Sequence, residues 1–353
     1  MRRSGTAPAA SADAVTAVGV VAMLAVATAA LAGWQGGPGD GVVVAGVGLL
    51  LGVPHGAVDH LLPSPRTGRR PRSRALAGFV GAYLAVTLAF VAFSVVLPAA
   101  ALAVFVLVSL VHFGTADIAY NRRRRGSVRP SGPDNRADLV VQTVAYGGCM
   151  SALFFLRWPQ EVGTVLAFVG PADGPLAAAL RAIGYLTLAA VAATVLRHVR
   201  RGAYLEAAEL GVLVLAACTA PPLVAFGVYF AAWHALRHSA RVWPALPGLP
   251  ALVVERRYGR AGALGMLHVL PATIGAYLVL VLAFLAAGAG GSYSHPGMLL
   301  VGAVLTGITV PHVGLILRYD RQLLSPAFRR ARPATPTDLP TSTAIHIDRS
   351  WSW

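Results

Sequence analysis

Apolar runs of about 20 residues alternate along the chain with short polar segments rich in Arg, Gly and Pro. An α-helix of that length spans the hydrocarbon core of a bilayer. The pattern therefore predicts an all-α fold, a polytopic integral membrane helical bundle of about ten transmembrane helices. They are expected at about Ala14–Ala32, Val42–Leu62, Leu76–Leu97, Ala99–Tyr120, Leu139–Leu156, Leu176–Leu196, Leu205–Thr219, Leu223–Ser239, Leu264–Ala287 and Met298–Leu317. The seventh is short and opens with Glu206 and Glu209. Residues 1–13 read as a short cytoplasmic N-terminus, 14–318 as one transmembrane catalytic domain, and 319–353 as a cytoplasmic, disordered tail rich in Arg, Pro, Thr and Ser.

Charge sets the orientation. Only 12% of the 353 residues are charged, against roughly 25% in a soluble domain. All 29 basic residues are Arg, and the net charge is +15. The arginines gather at the N-terminus and after spans two, four, six, eight and ten, for example Arg66 to Arg74 and Arg122 to Arg125. Loops after odd-numbered spans carry few. Positive residues stay on the cytoplasmic side, so ten spans with both termini cytoplasmic are expected, in the cell membrane. Clusters of this kind mark topology and anionic headgroups rather than nucleic acid, which is not an expected partner. Cys149 and Cys218 lie singly within apolar runs and form neither a disulfide framework nor a thiolate cluster.

Ionisable side chains inside spans are costly and point to function. Span two ends in Gly52-Val-Pro-His-Gly-Ala-Val-Asp-His60, bringing His55, Asp59 and His60. Span four brings His112 and Asp117, span eight His234 and His238, and span ten His312. All four helices run inward in the predicted topology, and each holds its histidines in the cytoplasmic half. Equal depth on four helices supports one shared metal site. His234 and His238, four residues apart, face one side of an α-helix. Asp59 stands one helical turn after His55 and is placed to fix that imidazole's tautomer; Asp117 is placed to do the same from span four. Imidazole in excess, two carboxylates and no thiolate allow an all-histidine iron site or a zinc site with an open position. Arg237 is expected to leave that face for the headgroups. His198, between Arg197 and Arg200, reads as a surface residue, and His268, His295 and His346 receive no role.

Four motifs together, Pro54-His-Gly-Ala-Val-Asp-His60, His112-Phe-Gly, Phe226-Gly-Val-Tyr-Phe with Trp233-His-Ala-Leu-Arg-His238, and Pro311-His312, resemble the Brp/Blh family of β-carotene 15,15′-dioxygenases over nearly the whole chain. Val58 and Val313 stand where that family more often has Leu and Met. The resemblance implies a non-haem Fe(2+) held by His55, His112, His234 and His238, with His60 and His312 near the metal rather than on it. It further implies cleavage of the central double bond of β-carotene or a related carotenoid by molecular oxygen, giving retinal. A lipid-dissolved hydrocarbon offers no group for acid or base catalysis, so oxygen must be activated at a metal with an open position. Phe113, Phe226, Tyr229, Phe230 and Trp233 are candidates to line an apolar tunnel. Two rival readings are a two-iron desaturase or hydroxylase, whose HxxHH-type boxes are missing from this chain, and a transporter with a His/Asp relay.

Overall fold

The computed structural model describes residues 7–34, 36, 39–62, 73–125, 135–167, 169–171, 173–288 and 295–324, and every element among them is helical. In chain order, α1 (Ala7–Leu31) precedes α2 (Asp40–Gly52), which runs on into a 3₁₀ helix, Val53–Leu61. There follow α3 (Ser73–Val96), α4 (Pro98–Arg125), α5 (Arg136–Cys149), α6 (Leu153–Arg157), α7 (Pro159–Leu166), α8 (Pro175–Arg200) and α9 (Tyr204–Thr219). Next, α10 (Pro222–Val228) passes through a π-helical stretch, Tyr229–Ala235, into α11 (Leu236–Val242). The chain closes with α12 (Leu249–Val254), α13 (Tyr258–Gly288), α14 (His295–Tyr319) and α15 (Arg321–Leu324). Proline opens α4, α7, α8 and α10, where a missing N–H costs the helix nothing.

Among the described residues, seven stretches are long and apolar enough to cross a membrane: Ala12–Leu31, Asp40–Leu61, Leu76–Val96, Pro98–Arg124, Pro175–Arg200, Tyr258–Ala286 and Leu299–Tyr319. The other three expected spans fall on shorter pieces. The fifth divides into α5 and α6, the seventh is the 16-residue α9, and the eighth is broken by the π-helical stretch. The basic loop from Arg66 to Arg72 and the tail from residue 325 onward lie outside the described residues. Residues 319–324 end α14 and form α15, with Asp320 buried.

Two packing groups flank the histidine-bearing segments. In one, α4 lies on α5, α5 on α8, and α1 on α9, around a core that includes Met23, Tyr146, Leu210, Leu213 and Trp233. The α4–α5 crossing is close because both helices present glycine there. A Cβ at Gly114 would overlap the Thr143 carbonyl, and one at Gly147 the Leu110 carbonyl. Small residues at a crossing let helix backbones approach where lipid offers no hydrophobic drive. In the other group, α14 packs on α3 and α13, and much of its apolar surface stays uncovered, including Leu84, Leu88, Leu267, Leu278 and Leu282.

A charged network threads the first group. Arg124 pairs with Glu206 (3.2 Å) and Glu209. Arg237 meets Asp117 (2.9 Å) and Glu209 (3.3 Å), and its guanidinium lies 3.7 Å from the Trp233 ring centroid. Arg237 is therefore buried in the bundle rather than directed to the headgroups, because two carboxylates and two aromatic faces, Trp233 and Tyr120, receive it there. His198 is likewise internal. It is 1% exposed, and its Nε2 stands 3.1 Å from the Tyr146 hydroxyl.

Candidate metal centre

Five of the histidines meet. His55 comes from the 3₁₀ helix, His112 from α4, His234 from the π-helical stretch, His238 from α11 and His312 from α14. All five are buried. Ring centroids of His55 lie 5.0 Å from His234, 4.9 Å from His238 and 5.1 Å from His312. Those of His112 lie 4.8 Å from His234 and 4.9 Å from His312. The expected convergence of four helices on one site is thus present, and it includes His312.

Local backbone departures aim these rings. Pro54 near the start of the 3₁₀ helix removes an N–H that a continuing α-helix would use. The 3₁₀ form has three residues per turn, so a residue four places on lies about a third of a turn off the face. Asp59 accordingly does not serve His55. It receives the Nδ1–H of His312 on both oxygens, at 2.9 and 3.1 Å, while His55 Nδ1 donates to the Gly52 carbonyl at 2.5 Å. The π-helical stretch widens the turn before His234, a form that recurs at functional sites. Pro311, inside α14, directly precedes His312. Gly56 lies beside that ring, where an added Cβ would be in ordinary van der Waals contact with it, 3.4 Å from His312 Nδ1.

Asp117 also differs from expectation. Its oxygens accept from Trp233 Nε1 (3.0 and 3.2 Å) and from Arg237 (2.9 Å), not from an imidazole. It clamps the segment that carries His234 and His238 instead of a ligand ring. Arg241 continues this scaffold. It donates to the Ala116 carbonyl (2.9 Å) and to His238 Nδ1 (3.2 Å), and pairs with Asp320 at 3.2 Å. Charge clustering alone does not mark Arg237 or Arg241 as part of this scaffold. Their signal was periodic: with Trp233 they fall at four-residue steps, the spacing of one buried helical face.

The donor set fits a metal ion. Nε2 of His55, His238 and His312 and Nδ1 of His112 are buried without a hydrogen-bond partner. His112 and His234 bring their Nε2 atoms to 3.1 Å. Two nitrogens bound about 2.1 Å from one ion at a right angle stand about 3.0 Å apart. Among the described residues, two groups have donor atoms close enough to hold an ion, namely His55, His112 and His234, and His55, His238 and His312. Both draw on His55. Its Nδ1 is committed to Gly52, so one nitrogen remains and it serves one ion.

Beside the cluster lies a cavity of about 600 Å³, walled by His55, Asp59, His60 and His312 at one end and by apolar residues of α3, α13 and α14 elsewhere. Val80, Leu84 and Val279 on its wall are exposed, so its mouth opens on the apolar flank of the bundle. Pro271 and Gly275 thin the α13 wall. Of the five aromatic residues expected to line a tunnel, Phe230 lines this cavity. Phe113 and Tyr229 pack beside His234 in the core, at 4.8 and 6.2 Å between centroids. His60 is half-buried on the cavity wall and is not among the five rings that meet.

A helical bundle with several membrane-capable helices and a buried, all-imidazole centre next to an apolar cavity has the build of a multi-pass membrane metalloenzyme. The family model described as β-carotene 15,15′-dioxygenase matches residues 47–319, and the chain belongs to that family of oxygenases. One similar protein is the β-carotene 15,15′-dioxygenase of uncultured marine bacterium 66A03, 30% identical over 199 residues, which are 56% of this chain and 68% of that protein. Another is the probable β-carotene 15,15′-dioxygenase Blh of Halobacterium salinarum, 28% identical over 295 residues, which are 77% of this chain and 82% of that one. No solved structure matches.

Proposed function

We propose that this protein cleaves the central 15,15′ double bond of β-carotene or a related carotenoid with molecular oxygen, giving two retinal molecules, in the cell membrane. The observation that carries the reading is the all-imidazole cluster forming the wall of an apolar cavity that opens on the bundle's lipid-type flank. We assign the ion as Fe(II), which in an imidazole site with an open position supplies oxygen activation. His55, His112 and His234 form one donor group for it. A fourth imidazole comes from His238 or His312, which stand with His55 as the second group.

The chain's own part is binding, orientation and exclusion of water. The cavity takes a hydrocarbon from its apolar side without asking it to cross water. Tyr83 and Thr309 line this cavity, but their hydroxyls are spent on the Ile308 and Leu305 carbonyls. A polyene lying there meets methyl groups and aromatic faces until it reaches the imidazoles. Asp59 holds His312, the Gly52 carbonyl holds His55, and Arg241 holds His238. The rings keep their positions when a substrate edge approaches.

Ten crossings with both termini cytoplasmic, a short N-terminus (1–13), a membrane domain (14–318) and a tail (319–353) complete the proposal. The alternation of arginine clusters supports it. The shared His55 favours a single ion over the two-iron alternative, and a transporter would keep working after chelation.

Expression in a β-carotene-accumulating bacterium tests the function. Loss of orange colour with retinal formed, abolished by His234→Ala, is the expected result. Unchanged β-carotene beside well-expressed protein in the membrane would overturn it.

A further inference from the structure

A hydrocarbon has no polar group by which to be registered, and the successive double bonds of a polyene are chemically alike. Which bond reacts therefore depends on where the chain is held relative to the centre. With no hydrogen bond to set that register, the shape of the cavity must set it. One wall is tight. Tyr83 of α3 donates to the Ile308 carbonyl of α14 at 2.9 Å, and a Cβ at Gly307 would stand 2.9 Å from the Thr87 carbonyl oxygen. Nothing broad passes between those two helices.

The α13 wall is hollow. It lines the cavity with Ala272, Gly275 and Ala276, and a Cβ added at Gly275 meets nothing within 4 Å among the described residues. Pro271, one turn earlier, lacks the N–H that would bond the Leu267 carbonyl, a point where helices bend. Val58, from the same 3₁₀ helix as His55, packs in one cluster with Val269, so the Pro271 end of α13 is nearer the imidazoles. Larger side chains bound the hollow on its other side, Val279 on α13 and Leu305 on α14. Leu305 precedes His312 by seven residues, about 10 Å along a helix.

We propose that Ala272, Gly275 and Ala276 seat the cyclic end group of the carotenoid, with Val279 and Leu305 as its stop, and that this seat decides which double bond meets the imidazoles. The inference deepens the proposed function and rests on it. The methylated ring is the broadest part of such a molecule, and small residues leave room for it where longer ones would not. The flat chain then runs from the seat along the α3–α14 seam to His55 and His312. An acyclic end gains little from a wide seat, so the hollow favours cyclic over acyclic carotenoids of equal carbon number.

Binding tests the seat without turnover. Purified full-length protein, stripped of metal, is titrated in detergent with β-carotene or with acyclic lycopene, and induced circular dichroism reports occupancy. The wild type is expected to favour β-carotene. Gly275→Leu should lower that preference about tenfold or more, since even one methylene in an apolar pocket is worth about tenfold. Ala276→Leu gives the same reading should Gly275→Leu fail to accumulate. Cleavage position tests the stop. Membranes carrying Leu305→Ala, or Val279→Ala if the first is inactive, should form aldehydes of unequal length beside retinal, identified by mass spectrometry. An unchanged preference in the seat variants, or retinal alone from an active stop variant, overturns the inference. A wild type that neither binds nor cleaves either carotenoid overturns the proposed function itself.

Discussion

The two flanks of the bundle both carry helices apolar enough to cross a membrane, and they are packed quite differently. On the α4–α5–α8–α9 side, half of the Pro98–Arg124 span is buried, backbones cross at glycine, and five charged side chains pair inside. On the α3–α13–α14 side, only 11% of the Leu76–Val96 span and 17% of the Tyr258–Ala286 span are buried, and a cavity takes the place of a core. What separates them is where glycine permits close approach and where a buried charge demands a partner. The first flank is a rigid mount and the second an accessible wall, with the histidines at their seam.

The largest effect expected from breaking this division comes at the seam. His112→Ala removes a ring that faces both His234 and His312, and product formation in membranes should fall to background while the protein level persists, as read by immunoblot. Next is the mount. Asp117→Ala strips Arg237 of its closest carboxylate and Trp233 of its acceptor. Removing one partner from a buried charge pair costs up to about 3–5 kcal/mol. Glu209 still stands 3.3 Å from Arg237, so the loss falls below that ceiling, and the detergent-solubilised variant should unfold at clearly lower temperature and lose activity with it. Gly147→Ala forces a methyl into the Leu110 carbonyl. Overpacking of this kind costs about 1–3 kcal/mol, visible as a smaller drop in melting temperature. The smallest effect on stability belongs to the open wall. Gly275 on α13 has no atom within 4 Å of an added Cβ, so Gly275→Ala should leave the melting temperature unchanged or slightly raised, since Ala favours a helix interior over Gly. It lines the cavity, and a raised KM for β-carotene with kcat retained would show that this wall touches substrate. A large loss of stability in Gly275→Ala, or none in Gly147→Ala, would erase the contrast between the flanks.

Much of this was legible in the sequence. Membrane helices were written in the apolar runs, and the meeting of His55, His112, His234, His238 and His312 in the shared depth expected of them. The details that decide roles were not, because they depend on departures from regular α-helix. Asp59 misses His55 since Val53–Leu61 winds at three residues per turn, a change that Pro54 hints at but does not dictate. Glu206 and Glu209 weakened the seventh expected span when counted as polar residues in lipid. They are neutralised by Arg124 and Arg237, which lie more than 25 residues away in either direction and were read as headgroup charges. Pairing across helices carries no local signature, so a buried arginine and a cytoplasmic one look alike in a linear chain.

The Asp59–His312 hydrogen bond joins residues 253 positions apart, and this has a consequence for biosynthesis. A membrane chain is delivered from its N-terminus, and early segments pack before late ones exist. His55, His112, His234 and His238 are all in place before α14 is made. Only arrival of the last long helix gives Asp59 its partner and closes the ring of imidazoles. A chain that stops before α14 therefore lacks the Asp59–His312 pair and the fifth imidazole of the cluster.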